Sequence, residues 1–172
     1  MVVLDVDGVL TDGGVYIGAQ AGGETVELKR FDIQDGLGVK MLGWAGIEVV
    51  IVSGRMSEAT SRRAREMGVT ECHQDPGAEK LPVVQRLLDA RDVGWDETAM
   101  VADDLADLPV LQRVRLPVAV ANAVPEVLAV AGWTTVARGG AGAVREFARA
   151  LLTARGEWED LVRRYCDARS GS

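Results

Sequence analysis

Short apolar runs rich in β-branched residues recur along the chain and alternate with segments of helical periodicity. The runs cover residues 2–6, 47–52, 98–101 and 116–121, with a shorter one at 133–136. The helical segments cover 34–44, 57–67, 79–91, 104–114 and 124–130. Runs that are apolar throughout are typical of strands buried on both faces, and their alternation with helices predicts a doubly wound parallel α/β sheet. Ligands bind such sheets at the carboxyl ends of the strands.

Two segments interrupt this alternation. Residues 15–18 and 24–31, joined by Ala-Gln-Ala-Gly-Gly, predict a β-hairpin inserted directly after the first strand, at about 14–32. Residues 143–153 and 157–168 predict two carboxyl-terminal helices separated by Gly156, at about 142–168. With 172 residues, of which 48% are hydrophobic, the chain can bury one core. We therefore expect a single domain over 1–172 with no large cap.

The first apolar run ends abruptly in carboxylates, with Asp5 and Asp7 two residues apart. If the strand continued, both side chains would lie on one face. Two carboxylates so close repel each other unless a metal neutralises them or one stays protonated, and paired acids beside a hard cation suit phosphoryl chemistry. The alternative interpretation is a simple turn, since Asp7-Gly8 is a common turn pair after a strand.

A hydroxyl and a tight turn follow the second run. Ser53-Gly54-Arg55 comes just before a helix that begins near Ser57. A hydroxyl, a backbone amide and a helix start together suit a bound phosphate. The same residues are also typical of a Ser-Gly turn followed by a helix cap.

Three more acids, Asp103, Asp104 and Asp107, follow the run at 98–101. A helix cap accounts for one acid in this position but not for three. Lys80 lies at the start of the helical segment 79–91, where the helix dipole disfavours a cation. A phosphate or nearby acids would offset that charge, while the alternative is a solvated surface lysine.

Charge and cysteine content narrow the class of partner and the compartment. The chain has 26 acidic residues and 19 Lys or Arg, for a net charge of -7, and it has no basic run, which argues against binding a nucleic-acid backbone. Cys72 and Cys166 show neither metal-ligand spacing nor a disulfide framework, which indicates a reducing cytoplasm. We expect no membrane association, because no stretch reaches the roughly eighteen apolar residues that span a bilayer, and no charged leader precedes the first run.

The order of these groups along the chain resembles that of haloacid dehalogenase superfamily phosphatases. Within that superfamily, five segments resemble motifs of the 3-deoxy-D-manno-octulosonate 8-phosphate phosphatase family. They are DVDGVLTDG at 5–13, FDIQDGLG at 31–38, SGR at 53–55, DDLADLPV at 103–110 and GGAGAVRE at 139–146. The resemblance spans nearly the whole chain and implies a Rossmann-like core that carries the hairpin in place of a cap.

The resemblance implies a role for each acid. Asp5 would be the nucleophile that becomes an aspartyl phosphate, and Asp7 would protonate the leaving sugar oxygen and then activate water. Mg²⁺ would be held by Asp5, the backbone carbonyl of Asp7 and Asp103. Ser53 and Lys80 would bind the transferring phosphoryl oxygens. Two further acids would orient waters or the lysine, and these are Asp104 and Asp107.

The resemblance also implies a phosphorylated sugar acid as substrate, either an octulosonate 8-phosphate or a nonulosonate 9-phosphate. Its carboxylate needs a cation, for which Arg55 and Arg63 are the candidates, although Arg63 could equally be a surface charge on its helix. Thr11 and Gly54 complete the predicted substrate-binding set. The family further implies a homotetramer in which the hairpin of one subunit closes a neighbouring site.

Some positions depart from the family pattern or do not fit it. Ala102 stands where the family usually has glycine before the acidic pair, and its methyl group would shift the loop or narrow access. Only five residues lie at or before the nucleophile, so the first strand is short or the true start lies upstream. His73, after a further candidate strand, has no Ser or Cys partner in the sequence and is expected at a structural or rim position.

Two alternatives belong to other functional classes. A phospho-accepting receiver domain is also a parallel α/β unit with acids, a hydroxyl and a lysine. It carries its acceptor after a middle strand and its lysine at a late strand end, whereas here the Asp-x-Asp pair comes first. The other alternative is a weakly active or non-catalytic assembly module, similar to the carboxyl-terminal domain of sialic acid cytidylyltransferases.

Overall fold

The computed structural model describes residues 1–170 and contains a six-stranded parallel sheet and a separate two-stranded hairpin. In chain order the strands are β1 (Val2–Leu4), β2 (Tyr16–Ala19), β3 (Thr25–Leu28), β4 (Val49–Ser53), β5 (Cys72–Gln74), β6 (Ala99–Ala102), β7 (Leu116–Ala119) and β8 (Trp133–Thr134). Strands β2 and β3 form the antiparallel hairpin, and the others are ordered β5-β4-β1-β6-β7-β8. The predicted fold class is confirmed, and the described chain contains no cap domain.

Helices connect the strands of the sheet. They are α1 (Ile33–Trp44), α2 (Glu58–Met67), α3 (Lys80–Asp89), α4 (Leu108–Leu111), α5 (Pro125–Val130), α6 (Ala143–Ala154) and α7 (Trp158–Asp167), with short 3-10 turns at Trp95–Glu97 and Leu105–Asp107. Local sequence sets several of their ends. The Ser57 hydroxyl accepts a hydrogen bond from the Thr60 amide at the start of α2, and Gly68 ends that helix in the left-handed conformation.

Strand β1 lies in the middle of the sheet and positions the site. All three of its residues are buried, and Leu4 is in register with Ile51 of β4 and Val101 of β6. Because the strands are parallel, the carboxyl ends of β1, β4 and β6 meet at one edge. The residues that follow these three strands are therefore brought together.

Helices α1 and α6 pack against each other across one face of the sheet, and a buried acid joins them. The Asp35 carboxylate in α1 accepts a hydrogen bond from the backbone amide of Arg145, in the first turn of α6, at 2.7 Å. An acid at a helix amino terminus satisfies amides that have no partner within the helix. This contact holds the loop before α6 in place over the sheet edge.

The structure differs from the predicted elements in three places. The first strand ends at Leu4, and the chain then turns through Gly8, whose φ of +88° suits glycine. The predicted helix 104–114 is a 3-10 turn followed by the single turn α4. Strand β5 gives no apolar run because it is a half-buried edge strand composed of Cys, His and Gln.

The hairpin and the two carboxyl-terminal helices occupy the segments in which they were predicted. No helix within residues 1–170 is both long enough and apolar enough to cross a membrane. The extent of a single domain over 1–172 stays a prediction, since its last two residues lie outside the described range.

Candidate active site

A buried lysine and two aspartates form the centre of the candidate site. The Lys80 ammonium, at the first residue of α3, donates hydrogen bonds to Asp5 at 2.6 Å and to Asp107 at 2.5 Å. Burial acts to lower the pKa of Lys80, but the charges and hydrogen bonds of these two acids outweigh it and raise that pKa. A cation at the start of a helix is explained here by its two carboxylate partners.

Asp5, Asp103 and Asp107 form an acid cluster, with one carboxylate oxygen from each lying within 4.8 Å of the others. Burial raises the pKa of Asp5 to about 6, and the charge of Asp107 adds to this effect. Burial, together with the charges of Asp5 and Asp107, raises the pKa of Asp103 to about 8. A single lysine therefore leaves the cluster with excess negative charge.

The acid cluster fits a divalent cation. Oδ1 of Asp103 is buried without a hydrogen-bond partner among the described residues, and leaving such an oxygen unsatisfied is costly. Clustered carboxylate oxygens are the ligands that Mg²⁺ and similar hard cations prefer. Of the predicted metal ligands, Asp5 and Asp103 supply carboxylates to this cluster, and Asp107 joins them.

Two glycines let the loop after β1 pack closely against its neighbours. A Cβ atom at Gly8 would overlap the Asp103 carboxylate, and one at Gly139 would overlap the Gly8 carbonyl. Asn122 holds the arrangement together, because its amide donates to the Gly8 carbonyl at 2.9 Å and accepts from the Gly139 amide at 2.6 Å. Asn122 was not identified from the sequence. Its partner Gly139 was marked only as part of the Gly-Gly pair at 139–140 in a quoted motif.

Thr11 stabilises the same loop from within. Its buried hydroxyl donates to the Val6 carbonyl at 3.3 Å and accepts from the amides of Gly8 and Gly13, each at 3.2 Å. The hydrogen-bonding capacity of the hydroxyl is thus filled inside the loop. These contacts give Thr11 a structural role, and its role in substrate binding stays a prediction.

The turn after β4 lies beside the hairpin. The buried Ser53 hydroxyl accepts a hydrogen bond from the Arg55 amide at 3.2 Å, and a Cβ atom at Gly54 would come within 2.9 Å of the Ala78 side chain. The Arg55 guanidinium donates to the Glu27 carboxylate of β3 at 2.9 Å. Arg55 is thus at the exposed rim, paired with an acid of the hairpin.

Asp7 has a partner different from that of Asp5. Its carboxylate accepts two hydrogen bonds from the Lys29 ammonium, at 2.7 and 3.0 Å. The two acids do not share a strand face as an extended strand would require, because β1 ends before both of them. Lys29 was absent from the predicted site.

Arg63 makes its contacts at the base of the hairpin. Its guanidinium donates to the Asp32 carbonyl at 2.8 Å, lies 3.4 Å from the Glu66 carboxylate and stacks over the Phe31 ring, 5.9 Å from its centroid. In the described part of the chain, none of these contacts is with the acid cluster. Its predicted role in binding a substrate carboxylate gains no support from these contacts.

Three other predicted positions have structural contacts. The exposed Asp104 carboxylate accepts from the Leu105 amide at 2.7 Å and so caps the 3-10 turn. His73 lies on the edge strand with Nε2 at 2.7 Å from a Glu71 carboxylate oxygen. Ala102 is the last residue of β6 and is fully buried, so its methyl group packs in the core.

The fold and the acid cluster at its edge define a haloacid dehalogenase-like hydrolase. The sequence profile of the family described as haloacid dehalogenase-like hydrolase matches residues 74–145. The 3-deoxy-D-manno-octulosonate 8-phosphate phosphatase of Escherichia coli strain K12 is 39% identical over 160 residues, which cover 93% of this chain and 82% of that protein. The chain belongs to the 3-deoxy-D-manno-octulosonate 8-phosphate phosphatase family and is a phosphatase, which confirms the resemblance seen in its motifs.

Solved structures of relatives agree with this placement. The phosphatase from Moraxella catarrhalis, solved in complex with magnesium, phosphate and KDO, is 33% identical with a TM-score of 0.87, covering 95% of this chain and 91% of that one. The cobalt-bound phosphatase from Haemophilus influenzae is 37% identical with a TM-score of 0.81, covering 91% of this chain and 89% of that one.

Proposed function

We propose that this chain is a Mg²⁺-dependent phosphatase that hydrolyses an acidic sugar phosphate, either 3-deoxy-D-manno-octulosonate 8-phosphate or a nonulosonate 9-phosphate. The observation that carries the proposal is the placement of Lys80 between Asp5 and Asp107, next to the unpartnered buried oxygen of Asp103. The names of the relatives support the substrate class. The alternative of a non-catalytic assembly module is not favoured.

Asp5, Asp103 and the backbone carbonyl of Asp7 would hold the metal ion. When bound, Mg²⁺ neutralises the crowded carboxylates and draws charge from a phosphoryl oxygen. The Moraxella catarrhalis and Haemophilus influenzae structures, which contain magnesium and cobalt, support a divalent cation.

Asp5 acts as the nucleophile in the proposed reaction. Its free carboxylate oxygen forms a bond to phosphorus as the bond to the sugar oxygen breaks, and the Asp7 carboxyl gives its proton to that oxygen. A water molecule then attacks phosphorus in the aspartyl phosphate and gives a proton to Asp7. The bond between phosphorus and Asp5 breaks, so phosphate is released and the Asp5 carboxylate is restored. The contact with Lys80 fixes the orientation of the nucleophile.

Ser53 and Lys80 stabilise the transferring phosphoryl group. Both are buried at the carboxyl edge of the sheet, where a hydroxyl donor and a fixed positive charge act in a site of low dielectric. Arg55, at the exposed rim, is the proposed partner of the substrate carboxylate. Binding there requires the Arg55 guanidinium to release the Glu27 carboxylate and to contact the substrate carboxylate instead.

A homotetramer in the cytoplasm completes the proposal. The hairpin exposes large apolar side chains, with Ile17 at 71% and Leu28 at 63% relative exposure, which suits contact with another copy. In a tetramer the hairpin would help to close a neighbouring site and protect the intermediate from bulk water.

Phosphate release from a panel of phosphorylated sugar acids, with and without Mg²⁺, tests this function. We expect turnover of an octulosonate or nonulosonate phosphate that chelator abolishes, and a loss of at least about 10³-fold in kcat for Asp5→Asn. The variant should remain folded, because the amide is isosteric. Equal turnover by the wild type and this variant would contradict the proposal.

A further inference from the structure

A second buried lysine lies at the site, on the hairpin. We propose that Lys29 is a positioning residue that fixes the Asp7 carboxyl for proton transfer and couples its orientation to the docking of the hairpin. The inference rests on the proposed function, since it concerns the group that protonates the leaving oxygen.

The geometry makes Lys29 the dominant partner of Asp7. Its ammonium lies 2.7 and 3.0 Å from the two carboxylate oxygens, and its side chain is fully buried while that of Asp7 is 23% exposed. A partly exposed carboxylate without such a partner would populate several rotamers. With Lys29 in place, both carboxylate oxygens contact one ammonium, which restrains the orientation of the carboxyl group.

The hairpin carries this lysine as part of a chain of alternating charges. Glu27 lies in β3, and Lys29 directly follows the end of that strand. The Glu27 carboxylate lies 3.8 Å from the Lys29 ammonium and accepts from Arg55 at 2.9 Å. The hairpin thereby joins the loop after β1 to the turn after β4.

This chain couples the position of the hairpin to the orientation of Asp7. Moving the hairpin away would separate a fully buried ammonium from its carboxylate, and a buried charge without a partner is strongly unfavourable. Conversely, loss of Lys29 would leave Asp7 free to rotate while the acid cluster and Lys80 keep their own contacts. The predicted defect is therefore confined to steps that need Asp7.

Leaving-group dependence distinguishes this role from a purely structural one. A sugar alkoxide needs a proton as it departs, whereas p-nitrophenolate leaves as an anion. Because general acid catalysis contributes about 10²- to 10⁴-fold, misplacing Asp7 should slow the sugar phosphate far more than p-nitrophenyl phosphate. A general loss of structure would slow both alike.

The experiment compares Lys29→Met with the wild type on a phosphorylated sugar acid and on p-nitrophenyl phosphate at saturating Mg²⁺. We expect kcat on the sugar phosphate to fall by about 30-fold with little change in KM, and kcat on the aryl phosphate to fall by less than about 3-fold. Asp7→Asn removes the proposed proton donor itself, so it gives the largest difference between the two substrates that loss of this step can produce. If Lys29→Met does not fold, judged by thermal unfolding, Lys29→Gln replaces it.

Glu27→Gln is the matched control, because it changes the same hairpin face and keeps the contact of Lys29 with Asp7. It should leave the ratio of the two kcat values as in the wild type, and any effect of releasing Arg55 should appear only in the KM for the sugar phosphate. Equal losses on both substrates for Lys29→Met, or an unchanged or increased kcat, would overturn the inference. Failure of the proposed function is distinguishable, since then the wild type itself would not hydrolyse the phosphorylated sugar acid.

Discussion

Asp5 and Asp35 are both buried aspartates whose pKa is raised to about 6, chiefly by burial, yet they have different partners. Asp5 lies against the Lys80 ammonium with two more carboxylates nearby. Asp35 accepts a hydrogen bond from the Arg145 backbone amide at the start of α6. The first arrangement groups three carboxylates around one ammonium, and the second is a single carboxylate that contacts a helix end through Oδ1.

The difference lies in how many carboxylates share one partner. A helix amino terminus offers backbone amides to a carboxylate, so Asp35 joins α1 to α6 as a single acid, although its Oδ2 is buried without a hydrogen-bond partner among the described residues. The Asp5 site combines one buried ammonium with three carboxylates and is neutralised only when another positive charge binds. Substitutions at three buried positions test how each group contributes to stability.

The largest effect is expected for Lys80→Met. Removing the cation leaves the Asp5 and Asp107 carboxylates buried without a partner, which typically costs about 3 to 5 kcal/mol in the free energy of unfolding. Urea unfolding should show this loss at neutral pH and a partial recovery when Mg²⁺ is added. Lys40→Met, which removes an exposed lysine of α1, is the control and should change stability little. A Lys80→Met protein as stable as the wild type would mean that the ion pairs contribute nothing.

A smaller effect is expected for Thr11→Val. It leaves the amides of Gly8 and Gly13 without their acceptor, at a cost of about 2 kcal/mol in unfolding free energy. Thr11→Ser keeps the hydroxyl and should retain most of this stability. A large rise in KM with stability unchanged would restore the predicted substrate-binding role of Thr11.

The smallest effect is a pH dependence at Asp35. Its pKa of about 6 in the folded chain lies above the ordinary value of 3.8, so the stability from its protonated form is present below about pH 4 and is lost as pH rises through about 6. Between about pH 5 and about pH 7.5, the wild type should therefore lose about 1 kcal/mol relative to Asp35→Asn. Chemical unfolding at the two pH values measures this difference, with the exposed Asp96→Asn as control. An equal stability difference at both pH values would show that Asp35 does not titrate in this range.

Much of the fold could be predicted because buried parallel strands leave a local signal. The central strand β1 is apolar throughout, and an acid that follows it can be buried only with a partner, as Asp5 is with Lys80. Strand β5 was harder to predict, because an edge strand is not buried on both faces and so has no continuous apolar run. Asp5, Ser53 and Lys80 could be grouped because the carboxyl ends of parallel strands meet.

The remaining contacts could not be predicted, because they join side chains that are distant in the sequence. The Lys29 contact with Asp7 depends on how the hairpin folds back, which no periodicity encodes. The Asn122 contact with Gly8 spans 114 positions. Arg63 is a further case, since its position on a predicted helix did not indicate that its guanidinium would contact the Asp32 carbonyl.

The packing of Gly139 against Gly8 has a consequence for the order in which the enzyme is completed. The Gly140 amide donates to the Val9 carbonyl at 3.1 Å, and Arg30 reaches the Gly140 carbonyl across 110 positions. A nascent chain that ends before residue 139 carries Asp5 and the loop after β1 but lacks the backbone that packs against that loop. Catalytic competence therefore arrives late in synthesis, after the ribosome has made most of the polypeptide.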